Sequence, residues 1–272
     1  GNPPSWESTA FRRAPVEILV LGPGTLVVWT GISLWRTEDG GFTWREIPGP
    51  PTPELSWVRR DPGDPGTLYA AYSRDVFRGD GEGNSWTRLS EVPLVCGFTA
   101  FLVAPAPEGP LPVLYAGGAD DADPGGTFCQ DLNEARVVRS LDGGVSWLPS
   151  EGLPKGLVIA LAVDPADPRI LYAAIRDFPG VWKSVDQGKT WTRTGPDDAP
   201  ITAIAVSPVP GRVYAAAQDG RFFRSADGGA TWSDWSAGLK VNGIEEILVD
   251  PDDPDRVYAT TTHGIWRLED TP

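Results

Sequence analysis

Short apolar runs, each closed within a few residues by Gly, Pro, Asp or Ser, follow one another along the whole chain. Residues 201–206 (ITAIAV) are one such run. A second type centres on a Tyr-Ala pair and recurs as LYAA at 68–71, LYAG at 114–117, LYAA at 171–174, VYAA at 213–216 and VYAT at 257–260, with LVVW at 26–29 in the same place near the start. A third type, such as residues 221–224, ends on a basic residue. Runs this short, bounded by turn formers, read as strands, and turn signals every 8–12 residues or so predict an all-β fold.

The turns themselves repeat. TEDGGFTW at 37–44, SLDGGVSW at 140–147, SVDQGKTW at 184–191 and SADGGATW at 225–232 share the pattern [ST]-x-D-x-G-x-[ST]-W, and GDGEGNSW at 79–86 is a worn copy with Gly81 where Asp is expected. The closing residues Trp44, Trp86, Trp147, Trp191 and Trp232 stand 42, 61, 44 and 41 residues apart. A unit of roughly 42 residues holding four short strands is the size of a propeller blade. The Trp that would partner Tyr258 falls beyond Pro272, whereas Ser5-Trp6 matches the end of the motif with no turn before it. The expected architecture is therefore a single six-bladed β-propeller over residues 1–272. Its blades fall near 12–48, 55–91, 96–151, 157–196, 201–237 and 244–268, with residues 5–9 closing the ring as the outer strand of the last blade.

Composition narrows the partners. In 272 residues there are 32 Gly and 28 Pro, which suits a turn-rich globular fold, and 23 basic against 37 acidic side chains give a net charge of −14. That field repels nucleic acid. The apolar stretch at 92–105 is interrupted by Pro93, Gly97 and Thr99 and is too short for a transmembrane helix. Two cysteines, no methionine and a start at Gly1 suggest a mature product whose leader lies upstream, and hence a secreted, periplasmic or cell-surface location.

The [ST]-x-D-x-G-x-[ST]-W turns resemble the Asp-box, or bacterial neuraminidase repeat, of sialidases, sortilin-type receptors, xyloglucan hydrolases and photosystem II assembly factors. Physically, Asp39, Asp142, Asp186 and Asp227 can accept backbone hydrogen bonds within their own turns while each Trp plugs the sheet. These are read as structural positions. Arg36, Arg78, Arg139, Lys183, Arg224 and Arg267 share one slot of the third strand, and five of the six tyrosines share another, so neither set marks an active centre.

The resemblance to sialidases implies three arginines, a Tyr nucleophile paired with Glu and an Asp acid/base. Residues 11–15 (FRRAP) are similar to the sialidase F-R-I-P element with one residue added, but no late Tyr outside the repeat is available. The xyloglucan hydrolases use two propellers, and on length alone that likeness is set aside. The leading expectation is a non-catalytic extracytoplasmic propeller that binds a protein or glycan through its loop face. A glycan-cleaving, sialidase-like hydrolase is the alternative, and a structural or assembly subunit the third reading.

The face bearing the loops between strands two and three, and those between blades, carries Arg12, Arg13, Tyr72, Arg74, Asp75, Arg176, Asp177, Phe178, Asp219, Glu245, Glu246 and His263. The third unit is enlarged within residues 117–135 by an acidic insertion, read as a solvated loop. Asp120, Asp121 and Asp123 are weak candidates for calcium, although their spacing lacks an established loop pattern. No cofactor is expected. Cys96 and Cys129 belong to two loops on this same face, which predicts a disulfide pinning the insertion to its own blade.

Overall fold

A computed structural model of the chain describes residues 17–52, 55–94, 98–121, 132–154, 156–176, 178–239, 243–250, 252–261 and 264–269. Every regular element among them is a strand, and no helix is long and apolar enough to cross a membrane. Residues 1–91 and 92–272 form two compact units. The first holds two antiparallel four-stranded meanders. One is β1 (Glu17–Gly22), β2 (Thr25–Trp29), β3 (Leu34–Thr37) and β4 (Arg45–Ile47); the other is β5 (Trp57–Arg60), β6 (Thr67–Tyr72), β7 (Asp75–Asp80) and β8 (Trp86–Arg88).

The second unit opens with a four-stranded meander of β9 (Phe98–Ala104), β10 (Val113–Asp121), β11 (Leu132–Ser140) and β12 (Leu148–Pro149). A seven-stranded sheet follows, made of β13 (Val158–Val163), β14 (Leu171–Ile175), β15 (Pro179–Ser184), β16 (Thr192–Val206), β17 (Val213–Ala217), β18 (Phe222–Ser225) and β19 (Ser233–Asp234). It is two four-stranded arrays sharing β16, whose start pairs with β15 and whose end, from Ile201, pairs with β17. The last sheet holds β20 (Glu246–Val249), β21 (Arg256–Thr261) and β22 (Gly264–Glu269).

The apolar runs become strands for a packing reason. In the second unit, β14 and β17 have neighbours on both edges and apolar clusters on both faces, so their small and apolar residues are consumed: Leu171 to Ile175 and Val213 to Ala217 are wholly buried. The core is correspondingly divided into clusters between successive sheets. Tyr115 packs with Val137, Val158 and Trp191, while Tyr172 packs with Val181, Ile201 and Val213.

The shared third-strand slot is a cross-strand pair. Tyr69 lies opposite Arg78, Tyr115 opposite Arg139, Tyr172 opposite Lys183, Tyr214 opposite Arg224 and Tyr258 opposite Arg267, with Val27 opposite Arg36 in the first sheet. Three of these cations reach the turn of the following array. Arg36 donates to the Gly81 carbonyl (2.8 Å), Arg139 to that of Gln187 (3.3 Å) and Lys183 to that of Gly228 (2.8 Å). The Tyr172 hydroxyl donates to the same Gly228 oxygen at 3.2 Å. These residues join one repeat to the next.

The Asp turns are closed hydrogen-bond rings. Asp186 accepts from Ser184 Oγ (2.8 Å), Thr190 N–H (2.9 Å) and Thr190 Oγ1 (2.6 Å), while Gly188 N–H donates to Ser184 Oγ (2.8 Å) and Trp191 Nε1 to the Gly188 carbonyl (3.2 Å). Asp39, Asp142 and Asp227 repeat the carboxylate part of this ring. The worn copy differs from its sequence reading. Asp80, one residue earlier than the motif position, accepts from Asn84 N–H and Ser85 Oγ, both at 2.8 Å, so the carboxylate survives the loss at Gly81. The hydroxyls and amides of their turns hold the Asp39 and Asp227 carboxyls down to about 2, led by the hydroxyls of Thr43 and Thr231. At Asp186 burial opposes the shift most strongly, yet the bonds from Thr190 and Ser184 together leave it lowered.

Part of the enlarged third unit is ordered hairpin. Strands β10 and β11 run on together to Asp121 and Leu132, with Asp120 opposite Glu134. The solvated loop expected within 117–135 is thus shortened by strand pairing at both of its ends. Asp123, Cys96, Cys129 and residues 5–9 lie outside the described residues.

Candidate functional site

The seven-stranded sheet carries the most developed polar surface. Its starting point is the crossover TGPDDAP at 194–200, within β16, which leads from the outer part of one array to the inner part of the next. Pro200 pairs with Pro179 at the tip of the β14–β15 hairpin. Arg193 ties the same two segments together, donating to the carbonyls of Pro179 (2.9 Å) and Asp197 (2.8 Å) and pairing with the Asp197 carboxylate (3.2 Å).

The next hairpin, between β17 and β18, supplies Asp219 and Arg221. Arg221 sits between two carboxylates, Asp219 through Nε at 2.8 Å and Asp198 at 3.0 Å, and also donates to the Asp198 carbonyl at 3.1 Å. Its guanidinium lies 5.3 Å from the centre of the Phe223 ring. The result is a surface cleft of about 430 Å³ lined by Pro196, Asp197, Asp198, Arg221, Trp232 and Asp234 among others.

The electrostatics of the cleft point to holding rather than proton donation. Burial disfavours the Asp219 charge most, but the Arg221 backbone N–H and guanidinium outweigh it and leave the carboxyl lowered. The Ser236 hydroxyl and N–H lower Asp234. In return the hydrogen bonds to Asp219 and Asp198 raise Arg221. Ionised carboxylates accept hydrogen bonds from hydroxyls, the guanidinium donates to them, and the negative faces of aromatic rings meet weakly positive C–H groups. That combination suits a polyhydroxylated ligand.

Of the residues singled out in the sequence, Trp232 lines this cleft, and Asp219 bears on it through its ion pair with Arg221. Arg12, Arg13, Asp177 and His263 lie outside the described residues. In the first unit Tyr72 faces Asp75 across a tight hairpin, Asp75 is engaged by Arg88 (3.0 and 2.5 Å) and Arg74 by Glu91 (3.1 Å). Phe178, 37% exposed, and Arg176 sit at the tip of β14–β15, Phe178 lying against Gly156. Glu245 immediately precedes β20 and Glu246 begins it, and both meet Thr260. Arg193, Asp197, Asp198, Arg221, Phe223 and Asp234 were not singled out. The acidic, Pro-flanked crossover at 196–200 was the available signal, since it falls outside the repeat pattern.

No protein-family model matches the chain. Xyloglucanase Xgh74A of Acetivibrio thermocellus is 28% identical over 244 residues, covering 81% of this chain and 24% of that enzyme. The chain thus spans about a quarter of the length of that relative. Among solved structures, an ancestral GH74 enzyme superposes with a TM-score of 0.74 at 17% identity, covering 94% of this chain and 36% of the other. YCF48 bound to D1 peptide superposes with a TM-score of 0.67 at 17% identity, covering 92% and 76%.

These findings overturn the expectation of a non-catalytic binder, because the sequence relative is named for cleaving a glycan. They also remove the reason for setting the xyloglucan hydrolases aside. A length difference decides nothing when the similarity itself occupies only a quarter of the longer enzyme. The structural likenesses show the fold: the chain is an all-β propeller.

Proposed function

We propose that this chain is the propeller of a glycan hydrolase acting on a xyloglucan-type polysaccharide, and that the cleft around Arg221 holds sugar residues of the substrate. The observation that carries this reading is the match over 244 residues to a xyloglucanase. The cleft supports it chemically. Asp198 and Asp234 accept sugar hydroxyls, Arg221 donates to them, and Trp232 offers a partly exposed ring at the wall. Glycoside hydrolysis needs one carboxyl that carries a proton beside one that is ionised. Asp219, its carboxyl held low by the Arg221 backbone N–H and guanidinium, fixes that guanidinium in place, and in this reading the cleft binds and orients the chain.

The finer architecture belongs to the same proposal. Six blades follow from counting the two arrays of the seven-stranded sheet separately, the turns at Asp39, Asp142, Asp186 and Asp227 are taken as Asp-boxes, and residues 5–9 complete the last sheet. A Cys96–Cys129 disulfide and an extracytoplasmic location accompany a polysaccharide substrate that is itself too large to enter a cell unaided.

The test is reducing-end release from xyloglucan, together with calorimetric binding of xyloglucan oligosaccharides. The protein is expected to bind and cleave. Arg221→Ala and Asp198→Asn should weaken binding about tenfold, the loss of one charge-assisted hydrogen bond, with little change in melting temperature. A protein that neither binds nor cleaves xyloglucan would overturn the proposal, and unchanged affinity in both variants would remove the cleft from it.

A further inference from the structure

The wall of the cleft hangs on an excess of chain. Val181 of β15 faces Gly195 of β16 and Pro179 faces Pro200, so a step of two residues on one strand is matched by five on the other. The surplus, Pro196 to Ala199, leaves the ladder as a bulge, a device that re-aims side chains at the edge of a sheet. Pro196 and Ala199 are buried, while Asp197 and Asp198 between them are exposed. Where those two carboxylates point therefore depends on what holds the bulge.

Two guanidiniums hold it, one from each array. Arg221 takes the Asp198 carboxylate at 3.0 Å and the Asp198 carbonyl at 3.1 Å. Arg193 takes the Asp197 carbonyl at 2.8 Å and, through Nε, the Pro179 carbonyl at 2.9 Å, so it spans the base of the bulge. Its ion pair with the Asp197 carboxylate is screened, that side chain being 89% exposed, and the two carbonyl bonds are what fix the backbone. Glycine at 180 leaves room for this guanidinium: a Cβ there would lie 2.9 Å from Arg193 Nε and 3.2 Å from the Pro196 carbonyl. The repeat does not demand the arrangement. Arg88 holds the same place, two residues beyond the motif Trp, and spends its guanidinium on Asp75 of its own hairpin at 3.0 Å. Glu46 and Asp234 occupy that place after Trp44 and Trp232.

We infer that Arg193 is a positioning residue of the sugar cleft, presetting the bulge so that Asp198 meets Arg221 in the geometry that receives hydroxyls. This role rests on the reading of the cleft as a sugar site. Arg193 is not itself among the residues that line the cleft, so it acts through Asp198. A loop fixed before binding loses less conformational freedom when the ligand arrives, and the difference is read as affinity. A Lys ammonium lacks the rigid fork that reaches both carbonyls in fixed directions, so it replaces the guanidinium only in part.

The test is a double-variant cycle on the full chain, read by calorimetric affinity for a xyloglucan oligosaccharide and by hydrogen exchange without sugar. Arg193→Ala should weaken binding about three- to tenfold, Arg193→Lys should recover part of that loss, and both should melt within about 2 °C of the parent. Added to Arg221→Ala, Arg193→Ala should cost less than about twofold more, because both act through Asp198. In the exchange experiment Arg193→Ala should accelerate the amides of 197–199 and of Gln218, whose N–H donates to the Pro200 carbonyl, and leave the other sheets unchanged. Losses that multiply in the double variant would make Arg193 an independent structural contributor and overturn the inference. Unchanged affinity or unchanged exchange in Arg193→Ala would overturn it as well. A parent protein that does not bind xyloglucan would instead remove the sugar reading, and the exchange result would then decide whether Arg193 sets the bulge.

Discussion

Replacing Asp186 by Ala should destabilise the propeller without touching the sugar cleft. The carboxylate accepts three hydrogen bonds, from Ser184 Oγ, Thr190 N–H and Thr190 Oγ1. Their loss is unequal in cost. Thr190 is exposed and its two donors rehydrate, whereas Ser184 is 1% exposed and its hydroxyl loses the acceptor it was aimed at. One buried donor left unsatisfied, with two exposed bonds exchanged for water, costs about 1–3 kcal/mol. For a chain of this size each kcal/mol shifts the midpoint by about 2–4 °C, so Asp186→Ala should melt roughly 3–10 °C below the parent. Asp186→Asn keeps one acceptor oxygen and should fall between. The assay is thermal unfolding followed by near-ultraviolet circular dichroism, with xyloglucan-oligosaccharide affinity measured on the same samples. An unchanged midpoint, or a loss of affinity at an unchanged midpoint, would refute the structural assignment of this carboxylate.

The same turns make stability depend on pH. Asp39 and Asp227 titrate at about 2 in the folded protein against 3.8 as the ordinary value, so their contribution is complete above about pH 4 and is lost as the pH falls towards 2; a midpoint that stays flat from pH 5 to pH 2 would contradict this. Gln187 occupies a left-handed conformation (φ 59°) where Asp39, Asp142 and Asp227 are each followed by Gly, so Gln187→Gly should raise stability by roughly 0.5 kcal/mol, the relief of strain exceeding the added chain entropy. Gly188→Ala should do the reverse, because φ is +74° and a Cβ would lie 3.1 Å from the Tyr115 ring; a cost below about 1 kcal/mol in chemical denaturation would speak against that packing. Alkylation of the untreated protein should modify neither Cys96 nor Cys129, and full modification of both would disprove the proposed disulfide.

Much of the scaffold could be read directly from the chain because its determinants are local and repeated. An Asp turn closes its hydrogen bonds within eight residues, so the pattern around Asp186 or Asp227 specifies its own geometry wherever it occurs. The Tyr-Ala runs and the basic slot recur with the strands that pair them, and repetition alone separates these scaffold positions from a site. The exception at Asp80 has the same origin: a carboxylate can move by one position along a turn and still reach the motif hydroxyl, here Ser85, with the amide of Asn84 in place of that residue's own, which a fixed pattern misses.

The cleft is different. Asp198 meets Arg221 from 23 residues away, and Arg193 reaches back to Pro179. Spacing alone could not foresee the first of these, since it depends on how β16 runs from one array into the next, and Asp219 was singled out for its loop without its partners. The turns build the same scaffold whatever the loops between them hold, although the one ending at Trp232 also lines the cleft. Local hydrogen bonding and strand pairing were therefore written in the sequence, whereas which non-repeat side chains share a surface was decided only when packing set the crossover between sheets.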